Sequence, residues 1–177
     1  MTRPLNCLFI CSGNSARSIL GEALATAMSG GRLRGYSAGS HPGGKVNPFA
    51  AELCAEMNYP TEHLRSKSWD EFSVPGAPVM DLIVTVCDSA AGEACPVWLG
   101  HPSTAHWGLP DPAAVTGSDA DKRKAFRAIR DVMATRIGML LELPIETMTD
   151  TERRTAMRRI GQTAVLDPAT EKLFPTR

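Results

Sequence analysis

Cys11 and Arg17 stand in a C-x5-R spacing, and the residues between them, Ser12, Gly13, Asn14, Ser15 and Ala16, are small or polar. Three apolar residues, Leu8, Phe9 and Ile10, run straight into the cysteine, and a helical pattern begins at Ser18. A strand and a helix joined by so short a bend turn successive backbone N–H groups inward, which makes a nest for an oxyanion. Loop amides can hold three oxygens of a tetrahedral anion, and a guanidinium adds a two-pronged contact. The same positive surroundings favour thiolate over thiol, and the thiolate is the nucleophile. The chemistry expected is attack of Cys11 on the central atom of a bound tetrahedral oxyanion. Gly13 is expected to allow close approach or a positive φ, Asn14 to take a left-handed conformation, and Ser18 to donate its hydroxyl to the Cys11 sulfur.

The elements that would position this loop follow from the hydrophobic pattern. Leu5 to Ile10 reads as a buried strand and Ser18 to Met28 as a helix closed by Gly30 and Gly31. Leu33 to Ser37 is a short strand, followed by a loop. Asn47 caps a second helix with Pro48 in its first position. Asp81 to Val86 is a second strand that also runs into a cysteine, Cys87, and Thr104 to Trp107 reads as another. Asp119 is expected to cap a long helix reaching about Leu143, where Pro144 stops it. The charged run from Asp150 to Gly161 reads as one more amphipathic helix, and the last dozen residues as loose chain. Strands alternating with helices imply an α/β fold with three layers, a central four-stranded parallel sheet and helices on both faces. Residues 1–146 are expected to form the main domain and 147–177 a C-terminal helical extension and tail.

Composition narrows the class. The chain of 177 residues is 43% apolar and 21% charged, and its 19 basic and 19 acidic residues balance. A neutral chain is not a general nucleic-acid or membrane binder, and no apolar run approaches membrane-spanning length. A cytoplasmic location is expected, where the five cysteines are mostly reduced and a disulfide is a transient redox species. Cys7, inside the first strand, and Cys54, on the apolar side of the second helix, read as core residues. His41, His63, His101 and His106 show no metal-ligand spacing, and the cysteines lack C-x2-C pairing, so no metal is expected.

The run "CSGNSARS" resembles the loop of the low-molecular-weight tyrosine phosphatases and of the arsenate reductases built on the same fold. "YSAGSHP", "NP" at the second helix, "VTVCDSAAGEACP" and "HWGLPDPA" are similar to further arsenate-reductase landmarks, from about Leu5 to Leu143. The resemblance implies that Cys11 is the nucleophile, that residues 12–18 bind the anion with Arg17, and that Asp111 protonates the leaving oxygen. Pro-Asp-Pro is also good turn chemistry, so a plain turn aspartate is the rival reading of Asp111. Phosphatases of the family follow that dipeptide with aromatic residues. Here Ala113, Ala114 and Val115 stand there, which favours a small inorganic anion over a phosphotyrosine ring.

A phosphatase needs water to resolve its phosphocysteine, whereas a reductase needs further thiols. Cys87 and Cys95 are the candidates for a relay in which Cys87 attacks Cys11 and Cys95 then attacks Cys87. Bridged cysteines need Cα atoms about 4.4–6.8 Å apart, whereas eight residues of straight helix separate them by about 12 Å. The segment between them must therefore bend or unwind. Thioredoxin, or glutaredoxin with glutathione, is the expected external reductant and transient partner. Arsenate is the expected substrate, phosphate or sulfate the competing anions, and no cofactor is expected to stay bound. Some family members bind potassium beside the loop through an asparagine, a glutamate, a serine and an aspartate. Asn14, Glu22 and Ser37 match, but Lys67 stands where the aspartate would fall, and its ammonium can replace the cation; an ordinary exposed lysine is the alternative. The rival functions are a phosphatase of the same fold and a non-catalytic oxyanion or thiol sensor.

Overall fold

The computed structural model describes residues 2–93, 96 and 98–175. Four strands, β1 (Leu5–Cys11), β2 (Leu33–Gly39), β3 (Leu82–Thr85) and β4 (Ser103–His106), form one parallel sheet in the order β2-β1-β3-β4. The helices are α1 (Arg17–Met28), α2 (Pro48–Glu56), α3 (Asp88–Gly92), α4 (Asp119–Leu141), α5 (Asp150–Gly161) and α6 (Pro168–Glu171).

Burial explains the layering. In β1 the five consecutive residues Cys7 to Cys11 are all buried, so both faces of the central strand are covered by helices. Helix α1 packs on β1 and β2, and α5 lies along β4, the strand at one edge. The Phe9 ring sits under α1, where a Cβ at Gly21 would come 2.5 Å from it, and meets Trp107 edge-on at 6.4 Å between centroids. In α4 Ala125, Phe126, Ile129, Val132, Met133, Ile137 and Leu140 are buried at helical spacing.

The structure moves several boundaries. Ser118, not Asp119, caps α4, because Ser118 and Asp121 form a capping box and Asp119 becomes the first helical residue. The β2 strand runs two residues past Ser37. Ala38 and Gly39 extend it because Gly39 must pass close to the loop, where a Cβ would lie 2.5 Å from the Ser12 carbonyl. Strand β3 is shorter than expected, since Asp81 turns its side chain to Arg3 and to the amide of Asn6.

Residues 167–175 are not loose. Asp167 caps α6 through the amides of Ala169 and Thr170, and Phe174 is buried. Helix α5 spans the expected run, with Arg153, Met157 and Ile160 buried, and accepts the Trp107 indole N–H at the Met157 carbonyl, 2.9 Å away.

Candidate active site

The strand order alone gathers the site. Parallel strands put their carboxyl ends on one side of the sheet, and ligands of open α/β sheets bind there. Cys11 ends β1, Cys87 lies two residues past β3, and Asp111 lies in the loop after β4. The Val86 amide donates to the Ile10 carbonyl and the Leu109 amide to the Val86 carbonyl, which stitches the three ends together.

The loop is shaped from outside. The carbonyls of Cys11, Ser12, Gly13 and Ser15 accept the amides of Ser40, His41, Gly43 and Asn47, at 2.9–3.2 Å. With its carbonyls turned outward to that segment, the loop's own N–H groups face the other way. Among the described residues, the amides of Gly13, Asn14, Ser15 and Ala16 donate to no group of the chain. Helix α1 then opens without a side-chain cap, with Ala16 in the position serine or aspartate usually takes, and with no acid in its first turn. Its positive end is left for an anion.

Asn14 has φ 45°, the left-handed conformation that asparagine tolerates. Gly13 does not: its φ is not in the left-handed region, and a Cβ there would meet only Ser15 Oγ, at 3.7 Å. The turn therefore depends on Asn14, and the part expected of Gly13 is not seen. The Asn14 side chain is also fixed. Its Oδ1 accepts the Lys67 amide at 2.8 Å, so its Nδ2 must be the atom that donates to Ser18 Oγ at 2.9 Å. Ser18 Oγ lies 2.9 Å from the Cys11 sulfur, and it is the donor in that contact whenever Cys11 is a thiolate, which has no hydrogen to give. A hydrogen bond donated to sulfur favours the thiolate.

Arg17 opens α1 and reaches across to the acid loop. Its Nη1 donates to the Leu109 carbonyl at 2.8 Å, and Nη2 lies 3.6 Å from Asp111 Oδ2. The other oxygen of Asp111 accepts the Ala113 amide at 3.0 Å, capping the 3-10 turn at Pro112–Ala114. Asp111 is thus a turn aspartate and, with its second oxygen, a neighbour of the anion loop. Cys87 is buried, caps α3 by accepting the Ala90 amide at 3.4 Å, and lies 3.5 Å from Ser12 Oγ. Helix α3 stops at Gly92 and Glu93 is extended, so the chain after Cys87 is not one straight helix. Cys95 lies outside the described residues.

Behind the loop, Lys67 is buried rather than exposed. Its Nζ lies 3.7 Å from Glu22 Oε2 and donates to Ser37 Oγ at 3.3 Å and to the Arg65 carbonyl at 3.1 Å. Burial holds Lys67 below the usual lysine pKa, against the pull of Glu22. Glu22 accepts from the Ser37 hydroxyl and, at 2.8 Å, from Tyr59. Asn14, Ser37, Glu22 and Lys67 therefore form one connected group under the loop.

Cys7 and Cys54 sit in the core. Burial pushes the Cys54 thiol up to about 12 and raises Cys7 as well, so both thiols are held neutral. Four side chains were given no role by the sequence. Ser66 Oγ donates to the Gly13 carbonyl, and residues 40–47 act through their backbone, which no side-chain pattern reports. Tyr59 supports Glu22 from beyond α2. His106 holds Asp88 at the start of α3: its Nε2 meets Asp88 Oδ1 at 3.0 Å and its Nδ1 meets Thr85 Oγ1 at 2.9 Å. Phe174 is the fourth. The mouth beyond the loop is a cavity of about 470 Å³ that includes Arg17, Cys87, Asp111 and Ala114, and Phe174 and Pro175 form part of its wall. The acid loop lacks an aromatic, as its sequence says, but the mouth does not.

The family model of the low molecular weight phosphotyrosine protein phosphatases matches residues 6–153. An arsenate reductase of Halalkalibacterium halodurans is 35% identical over 134 residues, which are 76% of this chain and 93% of that one. The crystal structure of an arsenate reductase from Archaeoglobus fulgidus is 28% identical, with a TM-score of 0.59 over 77% of this chain and 99% of that one. A low molecular weight protein tyrosine phosphatase from T. tengcongensis shares the fold at 21% identity, with a TM-score of 0.62 over 78% of this chain and 98% of that one.

Proposed function

The chain belongs to the low molecular weight phosphotyrosine protein phosphatase family, and from that premise we propose that it reduces arsenate to arsenite in the cytoplasm. The observation that carries the reading is a second thiol, Cys87, 3.5 Å from the Ser12 hydroxyl of the anion loop. Hydrolysis by water requires no second thiol there, whereas a two-electron reduction does.

The steps balance as follows. The loop amides, the α1 N-terminus and Arg17 hold arsenate above Cys11. The Cys11 thiolate attacks arsenic, an As–O bond breaks, and the leaving oxygen takes a proton from Asp111. Cys87 then attacks the Cys11 sulfur. The S–As bond breaks with its electron pair remaining on arsenic, which leaves as arsenite, and a Cys11–Cys87 disulfide forms. Cys95 attacks Cys87, freeing Cys11 as thiolate and forming Cys87–Cys95. Two electrons from thioredoxin, or from glutathione through glutaredoxin, reset that disulfide. Phosphate and sulfate, being tetrahedral oxyanions, compete for the loop. Lys67 supplies the positive charge beside Glu22, so activity should not respond to potassium over sodium at equal ionic strength.

The test is mass spectrometry of the reduced protein after one equivalent of arsenate, with free thiols alkylated and disulfides mapped. A Cys87–Cys95 disulfide in the native chain, and Cys11–Cys87 trapped in Cys95→Ser, is the expected result. Absence of any protein disulfide, with an aryl phosphate turned over steadily without thiol, would move the protein to the phosphatases. Phe174 at the mouth is the observation that keeps that second reading in play.

A further inference from the structure

The sulfur of Cys87 is enclosed on two sides. Ser12 Oγ lies 3.5 Å away on the side of the anion loop, and the Ala90 amide donates from α3 at 3.4 Å. The residue is only 4% exposed. Among the described residues, Cys87 lines the mouth together with Arg17, Asp111 and Ala114, and Phe174 and Pro175 add a part of the wall from the far end of the chain.

That end is constructed to reach the site. After α5 the chain turns through α6, whose start is fixed by the Asp167 cap. Leu173 and Phe174 then continue the turn, donating to the carbonyls of Thr170 and Glu171 at 3.0 and 3.2 Å. Phe174 is only 8% exposed, so it is a buried part of the rim. The family match ends at residue 153, so Phe174 and Pro175 lie outside the matched region.

We infer that Phe174 is a specificity-determining residue that decides which thiols and disulfides reach Cys87. With the ring in place, Cys87 is open to its neighbour across the loop, Cys11, and closed to tripeptide-sized molecules arriving from solvent. The inference rests on the proposed role of Cys87 for its meaning. A relay thiol that exchanged freely with glutathione disulfide would be capped before Cys11 needed it: the Cys87 thiolate attacks one sulfur of that disulfide, a mixed disulfide forms, and one glutathione thiolate leaves. Phe174 touches no reacting atom in this scheme; it acts by excluding volume.

The experiment uses the full chain in a Cys11→Ser, Cys95→Ser background, so that a mixed disulfide at Cys87 cannot pass to another site thiol. The reduced protein is treated separately with glutathione disulfide and with iodoacetamide, and each modified cysteine is quantified by mass spectrometry over time. The readout is the ratio of the glutathione-disulfide rate to the iodoacetamide rate at Cys87. A merely structural role would not move this dependence on reagent size. Phe174→Ala should raise the ratio about tenfold, with Cys7 and Cys54 unmodified as internal reporters of an intact fold. Should Phe174→Ala expose those two, Phe174→Leu keeps an apolar anchor and should still raise the ratio severalfold. An unchanged ratio in a folded variant overturns the inference. Because no arsenate turnover is measured, failure here is distinct from failure of the relay, which disulfide mapping decides.

Discussion

Lys67 and Glu22 face each other with side chains only 8% and 9% exposed, under the loop from Cys11 to Arg17. Removing one member of a buried ion pair leaves an uncompensated charge, which typically costs about 3–5 kcal/mol, whereas removing both together is often close to neutral. Lys67→Met should therefore lower the urea midpoint sharply, because Glu22 would keep only the Ser37 and Tyr59 hydroxyls. The double variant Lys67→Met/Glu22→Gln should recover most of the loss. A single variant that loses under ~1 kcal/mol would show that Lys67 is not the counter-ion of Glu22. The same scale holds the proton logic at Cys11. The Lys67 amide orients Asn14, Asn14 orients Ser18, and Ser18 donates to the sulfur, so a change at Ser18 acts on the nucleophile directly. Ser18→Ala removes one hydrogen bond to a charged group, worth about 1.5–3 kcal/mol. At pH 7 its Cys11 should be alkylated by iodoacetate at least several times more slowly, and an unchanged rate would show that the sulfur does not depend on Ser18.

Elements meet in this fold where a side chain would not fit. Helix α5 approaches the end of β4 so closely that a Cβ at Gly161 would collide with the His106 carbonyl and come 2.7 Å from Trp107 Cδ1. Backbone cannot move aside as a flexible side chain can. Gly161→Ala should therefore cost about 1–3 kcal/mol, the usual range for overpacking, and should shift the tryptophan emission because Trp107 bonds to Met157 on the same helix. A variant as stable as the parent would mean that α5 yields at that contact. Parallel strand β4 is the edge of the sheet next to the acid loop, and α5 packs against it. Arg136 binds the two regions from below, donating to the carbonyls of Gly108, Gly161 and Thr163 at 3.3–3.4 Å.

Across the whole molecule, ion pairs fix where the chain begins and how it responds to acid. Arg3 grips Asp81 with two bonds of 2.7 and 2.8 Å, and the Asn6 amide adds a third at 2.7 Å, joining the start of β1 to the start of β3. Burial pushes the Asp81 carboxyl up, but these donors outweigh it and hold the group below its usual value of 3.8. A carboxyl lowered in the folded state binds protons less readily than in the unfolded chain. Its stabilisation is therefore present above the unfolded pKa and is lost as pH falls through the folded one. Asp81→Asn should remove part of the acid-limb slope below about pH 4 in denaturation curves followed with pH. A slope equal to the parent's would assign the acid response to other carboxyls.

The sequence by itself determined the sheet, the loop and the candidate residues that the sheet edge brings together. Periodicity placed every strand to within two residues, since a buried parallel strand is a continuous apolar run. The spacing of Cys11 and Arg17 marked the loop, because a strand-to-helix bend that short has few shapes. Position on the elements separated Cys7, inside a strand, and Cys54, on an apolar helix side, from Cys11 and Cys87 at strand ends. What it did not contain was the work of groups that every residue has, or that come from far along the chain. The outward hydrogen bonds from residues 40–47 are backbone bonds, invisible to composition. Gly39 read as loop because its need for a bare α-carbon arises only from the approach to Ser12. The tail read as loose because its few apolar residues show no period. Phe174 has meaning only once the folded chain returns it to the mouth, beside residues 17, 87 and 111. Local pattern sets what a segment can form. Which distant segment closes the site is decided by packing, which no local pattern records.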